Sequence, residues 1–385
     1  MSGPAFVFHQ CEPDNVKASY GAFDQCDMTI SNEGRSFLLG SLRIEGELEV
    51  SPVNGEVYGS TNASYDKNVY YDRFAGAHSL VEQLSVEIGG GSAETLPNYA
   101  RMVKSIVTGS QSQTDMINSD AVCELKAPAL EITRETLMGN WLPGDPNAAG
   151  TDLQKAAVQR QNPDFSFKPV CVLNNSVGEL AYAKTGDMRL TLNLARAADC
   201  LFGNSMAATV EYTIKNLRCC WRSVPQDPKA APVTLVRHLS IKQNIQSSTA
   251  ALQLRVPAVC DSMFSTFQPQ GDEGQPVPNA LSLARPPGIT QVQFLFSDAT
   301  NKLITYSLRS QVEILERYAD ALSTGSQTSA ITLRNVNDSD TFGCGLFFDG
   351  EVDLSNSKLT MTLDSAITNQ DAYVVYSFFR SSLMV

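Results

Sequence analysis

Ser223-Val-Pro-Gln-Asp-Pro-Lys-Ala-Ala-Pro232 cuts the chain into two parts. Proline fixes φ and removes a backbone donor, so a stretch this rich in proline cannot lie inside a sheet. A boundary between two domains is expected here. The chain has 385 residues, enough for two domains that each bury a core.

Outward from this stretch the same order of elements appears on both sides. Before it come a strand at 84–88 (LSVEI), a helix at 97–107, and strands at 165–173, 188–194 and 207–217. After it come a strand at 291–296 (QVQFLF), a helix at 308–322, a short extra strand at 330–333, and strands at 344–348, 359–363 and 372–379. The local wording repeats as well. Leu190-Thr-Leu-Asn-Leu-Ala-Arg-Ala197 is similar to Leu359-Thr-Met-Thr-Leu-Asp-Ser-Ala366. Ala208-Thr-Val-Glu-Tyr212 follows the first, and Ala372-Tyr-Val-Val with Tyr376 one step later follows the second.

Each element rests on its periodicity. Phe37 to Val50 reads FLLGSLRIEGELEV, in which Leu42, Ile44, Leu48 and Val50 alternate against charged residues: a strand with one buried face, bent at Gly46, before a tight turn at Asn54-Gly55. In 207–217, Thr209, Glu211, Thr213 and Lys215 take one face and Val210, Tyr212, Ile214 and Leu217 mostly the other. Further strands are expected at 233–245 and 251–256. In the first helix Tyr99, Ala100, Val103, Ile106 and Val107 fall at helical spacing, with Thr95 as N-cap and Pro97 in the first turn. In the second, Leu308, Val312, Leu315, Ala319 and Leu322 do the same.

Composition narrows the function classes. The hydrophobic fraction of 43% is that of a globular protein, while charged residues reach only 18%, so Ser, Thr, Asn and Gln must supply much of the polar surface. Such a composition suits a protein whose faces are partly covered by neighbours. The net charge of −12, with no basic cluster and no basic arm over Met1 to Asn15, argues against direct nucleic-acid binding. The nine cysteines are odd in number, scattered, and lack any CxxC, which argues for reduced thiols over a disulfide framework or a zinc site. Cys219 and Cys220 are neighbours on a strand and point to opposite faces. No signal peptide and no bilayer-spanning apolar run are visible, so the sequons at Asn62, Asn174 and Asn337 carry no expectation of glycans.

An all-β chain of two tandem sandwiches, each with a helix in a long loop, resembles the double jelly-roll major capsid proteins of icosahedral viruses. That lineage runs through tailless membrane-containing phages, virophages and adenovirus-like viruses. The resemblance covers about Phe37 to Tyr376 and rests on element order and length. It implies two tandem eight-stranded jelly-roll β-sandwiches with a short helix in a loop of each: a first roll over 37–222 carrying a long insertion at about 108–164, a Pro-rich linker over 223–232, and a second roll over 233–385. Residues 1–36 would be an N-terminal arm. It further implies a pseudo-hexameric homotrimer that tiles a virion shell, synthesis in the host cytoplasm, and partners among its own copies, penton or cement proteins and an internal membrane. The insertion, with Gly109-Ser-Gln-Ser-Gln-Thr114 and Trp141-Leu-Pro-Gly-Asp-Pro-Asn147, would be a tower or intersubunit loop.

The search for chemistry yields no catalytic, cofactor or metal residue, and the chain is not expected to be an enzyme. Only His9, His78 and His238 exist, and GxSxG is absent. Ile88-Gly-Gly-Gly-Ser-Ala-Glu94 lies between a strand and a helix, as a phosphate loop would, but lacks both the GK[ST] ending and the GxGxxG spacing. Asn335-Val-Asn-Asp-Ser-Asp340 offers oxygen ligands, but Phe342 occupies the fifth position counted from Asp338, where a calcium loop wants another oxygen. Asp24 and Asp27 flank Cys26 and are taken as solvated. The alternative class is a carbohydrate-binding or glycoside-hydrolysing sandwich, with Glu45, Glu47 and Glu49 at alternating strand positions, although Trp141 and Trp221 are the only tryptophans for sugar stacking. A minor capsid or spike component is a further alternative.

Overall fold

The structure, a computed structural model, describes residues 6–52, 69–70, 72, 74–110, 123–124, 164–203, 210–227, 232–254, 259–274, 281–297, 303–323, 341–353 and 358–385. The expected turn at Asn54-Gly55, most of the expected insertion, Trp141, the strand at 330–333 and the oxygen-rich segment 335–340 lie outside these residues.

The second half shows the architecture in its plainest form. Its strands are β14 (Thr234–Ile245), β15 (Thr249–Leu254), β16 (Val259–Pro269), β17 (Gln291–Ser297), β18 (Leu303–Leu308), β19 (Gly343–Asp353), β20 (Lys358–Asp364) and β21 (Tyr373–Met384). They form two four-stranded antiparallel sheets, in the orders β14-β21-β16-β19 and β15-β20-β17-β18. Consecutive strands alternate between the sheets except for the hairpin β17–β18, which is the winding of a jelly roll. Val292, Phe294 and Phe296 of β17 and Leu359, Met361 and Leu363 of β20 fill the space between the sheets, and each such side chain contributes about 1.5–3 kcal/mol by leaving water.

The first half repeats this winding. Its strands are β1 (Val7–Cys11), β2 (Tyr20–Gly21), β3 (Gln25–Ile30), β4 (Arg35–Leu38), β5 (Arg43–Pro52), β6 (Val69–Tyr70), β7 (Val81–Ile88), β8 (Gly91–Pro97), β9 (Asp164–Phe167), β10 (Glu179–Ala181), β11 (Met188–Leu194), β12 (Phe202–Gly203) and β13 (Val210–Pro225). One sheet has the order β3-β11-β7-β8, matching β15-β20-β17-β18. In the other, β1 and β2 pair successive stretches of β13 along one edge. Along the opposite edge, Ser223 pairs Phe37 of β4 and Cys220 pairs Arg43 of β5. Together β1/β2, β13, β4/β5 and β9 match β14, β21, β16 and β19. Helix α1 (Tyr99–Ser110) follows β8, and helix α2 (Gln311–Ser323) follows β18, the equivalent strand.

Several sequence expectations need correction. Residues 7–36 are not an arm: β1 to β3 supply the first two strands of the roll, and Cys26, Met28 and Ile30 of β3 are buried in its core. The pattern Gln25-Cys-Asp-Met-Thr-Ile30 does alternate, but over only three apolar positions. The boundary stretch begins inside a sheet, because β13 runs on to Pro225; β1 pairs it only as far as Ser223, so this end of the strand is an edge, where proline is tolerated. Thr95 caps no helix; it belongs to β8, and Leu308 likewise ends β18 and does not begin α2. Strand β9 stops at Phe167, and residues 171–173 form a turn.

The two long helices meet at close quarters. Gly109 near the end of α1 lies against Leu322 of α2, and a Cβ at position 109 would fall 3.2 Å from the Cβ of Leu322 and closer still to its Cδ1. The core continues through this contact, with Tyr318, Ala321, Leu322, Phe264, Val374 and Phe378 of the second half packed in one cluster with first-half residues. Gly109→Val is therefore expected to lower stability by about 1–3 kcal/mol through overpacking. Urea unfolding measures this, and an unchanged midpoint would speak against the close crossing.

Candidate functional site

The described residues place their polar chemistry at the seam between the two rolls. On α1, Arg101, Lys104, Ser105 and Thr108 fall at i, i+3, i+4 and i+7 and form one polar stripe. An amphipathic surface helix would turn that stripe to water. Here it is buried, as are Tyr99, Met102, Val103 and Val107 on the other face. Every polar group of the stripe must then find its partner in protein.

Lys104 finds it within the first roll. Its Nζ lies 2.6 Å from Oδ2 of Asp72, with both side chains fully buried. The other oxygen of Asp72 accepts from the N–H groups of Phe74 and Ala75 at 2.9 and 3.0 Å. Ser105 and Thr108 donate back to the carbonyls of Arg101 and Lys104. Arg101 instead reaches into the second roll. It donates to the Ser282 carbonyl at 2.7 Å and to Oε1 of Gln268, and its guanidinium lies 4.3 Å from the ring centre of Tyr376. The Tyr376 hydroxyl donates to Glu273 at 2.7 Å, and Lys242 pairs with the same carboxylate at 2.6 Å. Arg101, Gln268, Tyr376, Glu273 and Lys242 line an open cleft of about 130 Å³, bounded on the first-roll side by Glu82, Arg196 and Asp199.

A second set of bonds ties the sheets together. Strand β14 is an edge strand, paired only with β21. An unpaired edge leaves backbone donors open to water or to another strand. Two of these donors are taken by side chains of the first roll. The N–H of Val236 donates to the Ser176 hydroxyl at 2.8 Å, and the N–H of His238 donates to Oε1 of Glu94, on β8, at 2.6 Å. The other oxygen of Glu94 accepts from the N–H of Val172 at 2.6 Å. Burial pushes the Glu94 carboxyl up to about 8 and the His238 imidazole down to about 4. Both side chains are buried, and that burial disfavours the charged form of each.

The candidates named from sequence fall as follows. His238 belongs to this clamp. His78 is a core histidine, with Nδ1 at 2.8 Å from the Tyr99 hydroxyl and Nε2 at 3.3 Å from Glu124. His9 stacks on Trp221, and its Nε2 is 2.7 Å from Oγ of Ser223, a fully buried hydroxyl that also accepts from Arg35. The glycine run after Ile88 is a hairpin turn between β7 and β8, with Gly89 and Gly90 at φ of 62° and 75°, and it leads into a strand where a phosphate loop leads into a helix. Glu45 and Glu49 pair across to Arg218 and Lys215 on β13, and Glu47 accepts from Asn216. Asp24 pairs with Lys17, and Asp27 with Arg189. Among the described residues no group of three or more His, Cys, Asp or Glu side chains is placed to hold a metal ion. Sequence reasoning passed over Glu94, Arg101 and Lys104. The signal available was the two cations on one helix stripe, which reads as a solvated face until a second domain covers it.

No protein-family model matches the chain. No curated protein matches it either. Solved structures do. The chain is similar to the Faustovirus major capsid protein, with a TM-score of 0.59 and 8% identity over 99% of this chain and 90% of that one. It is similar to PBCV-1 VP54, as fitted into the virophage Sputnik, with a TM-score of 0.56 and 11% identity over 98% and 94%. It is also similar to the mavirus major capsid protein, with a TM-score of 0.53 and 11% identity over 98% and 90%. At such identities the likeness is one of fold, and the fold is the double jelly roll of these proteins.

The clamp makes stability depend on pH. Glu94 is raised from its ordinary 4.5 to about 8, so its stabilising contribution is full below 4.5 and is lost as pH rises through 8. His238 is lowered from 6.5 to about 4, so its contribution is present above 6.5 and is lost as pH falls through 4. Glu94→Gln is expected to flatten the alkaline limb of a stability-versus-pH curve. Glu94→Ala, which leaves two buried N–H groups unsatisfied, is expected to cost about 2–4 kcal/mol at pH 6. Thermal unfolding across pH measures both; an alkaline limb unaltered in the glutamine variant would refute the assignment.

Proposed function

We propose that this chain is a major capsid protein whose work is geometric and not catalytic. The observation that carries the reading is the repeat itself: two rolls with the same strand order, each with a helix after the equivalent strand, joined by a continuous core. Three such chains around one axis offer six near-equal corners, so a homotrimer is a pseudo-hexameric tile for an icosahedral shell. The likeness of fold to several viral major capsid proteins supports this reading.

The protein's place is then the virion, after synthesis in the host cytoplasm. Its partners are its own copies within and between capsomers, other capsid proteins such as penton or cement proteins, and the membrane beneath the shell in a virion that has one. The net charge of −12 assigns genome contact to other components. No described observation favours the carbohydrate reading. The Glu45, Glu47 and Glu49 side chains are engaged across the strand pair, and Trp221 is buried, with its Nε1 donating to Asn32 at 2.7 Å.

Light scattering on the protein as it leaves a sizing column tests the proposal. A mass three times that of the chain, stable on dilution, is expected. A strict monomer at high concentration would overturn it.

A further inference from the structure

Strand β1 lies against β13 in a register that sets His9 opposite Trp221 and Cys11 opposite Cys219. Directly opposed residues of an antiparallel pair project from the same face, with Cα atoms about 4.5–5.5 Å apart. At the first of these positions the rings of His9 and Trp221 stack with centroids 5.3 Å apart and planes 9° apart. Two residues further along the same face the register sets Cys11 directly opposite Cys219. A disulfide spans Cα atoms about 4.4–6.8 Å apart, so opposed positions in this register lie within reach of one. Cys220 faces Gln10 instead and points to the other side of the sheet.

We propose that Cys11 and Cys219 are a redox-active pair, a modification site at which a small-molecule disulfide oxidant closes a cross-strand bond between the first strand of the chain and the last strand of the first roll. The two cysteines differ in a way that assigns their roles. Cys11 is half-buried at the end of its strand, beside Glu12-Pro13, and is within reach of an oxidant, whereas Cys219 is fully buried. The neighbouring Cys219 side chain holds the Cys11 thiol below its ordinary value, and burial pushes Cys219 up. The Cys11 thiolate attacks one sulfur of the oxidant, forming a mixed disulfide and releasing the first thiolate. Cys219 then gives up its proton and attacks Sγ of Cys11, releasing the second thiolate. Two protein thiols are oxidised to one disulfide, and one oxidant disulfide is reduced to two thiols, which take up the protons.

The bond adds a covalent tie to a strand otherwise held by its ladder to β13 and by the contacts of His9. Strand β1 is a sheet edge, and Phe8 within it and Phe6 just before it are exposed. The proposal stands on the register alone and does not require the shell reading.

The test incubates the folded full-length chain with oxidised glutathione, blocks remaining thiols, and maps peptides without reduction. The expected product has lost two hydrogen atoms and yields one linked peptide pair joining Cys11 to Cys219. Cys11→Ser, a change at the half-buried partner, should abolish the link while leaving the circular dichroism spectrum unchanged. Cys220→Ser should retain it. Glutathione left on Cys11 as the end product, an unmodified pair, or a link from Cys11 to Cys220 would each overturn the proposal.

Discussion

Helix α1 is covered on both faces, and the arrangement of the two rolls follows from that. A guanidinium moved out of water without partners costs several kcal/mol or more. Arg101 is therefore stable where it lies only if Gln268, the Ser282 carbonyl and the ring of Tyr376 are in place to receive it. All three belong to the second roll. Lys104, one turn further along, is met by Asp72 of the first roll. One helix thus draws its polar partners from both halves, and neither half can shift without stranding a buried charge. Removing one member of such a pair costs about 3–5 kcal/mol, far more than a surface ion pair contributes.

The edge of β14 is held by the same logic applied to the backbone. A bare sheet edge invites pairing with any other strand, and proteins cover or cap such edges. Here Ser176 and Glu94 of the first roll take the outward N–H groups of Val236 and His238. Side chains cap this edge without extending the sheet, so the two rolls stay separate sandwiches while their relative position is fixed.

Much of the fold was legible in the sequence where one face of a strand meets the core and the other meets water. The alternation in β5, β7, β11, β13, β17 and β20 is of this kind, and the repeat order could be traced from it. Strand β16 was not legible. Its run Val259-Cys-Asp-Ser-Met-Phe-Ser-Thr-Phe-Gln-Pro269 is buried on both sides for most of its length, so no alternation survives to mark it as a strand. Strands β1 and β2 show no apolar alternation of their own and β3 alternates over only three apolar positions, so residues 1–36 read as an arm. The seam was the least legible part. Arg101 and Gln268 are 167 positions apart, and nothing local to either announces the other. Periodicity reports which residues share a face of one element; it does not report what covers that face.

The proposed six-cornered tile joins a structural fact, two equivalent rolls in fixed relation, to a use of it. Electron microscopy of the purified protein, averaged in projection without imposed symmetry, tests that join most directly. Threefold particles with six near-equal lobes around the rim are expected. Isolated two-lobed particles at every concentration, or assemblies whose lobes do not alternate around a threefold axis, would contradict it.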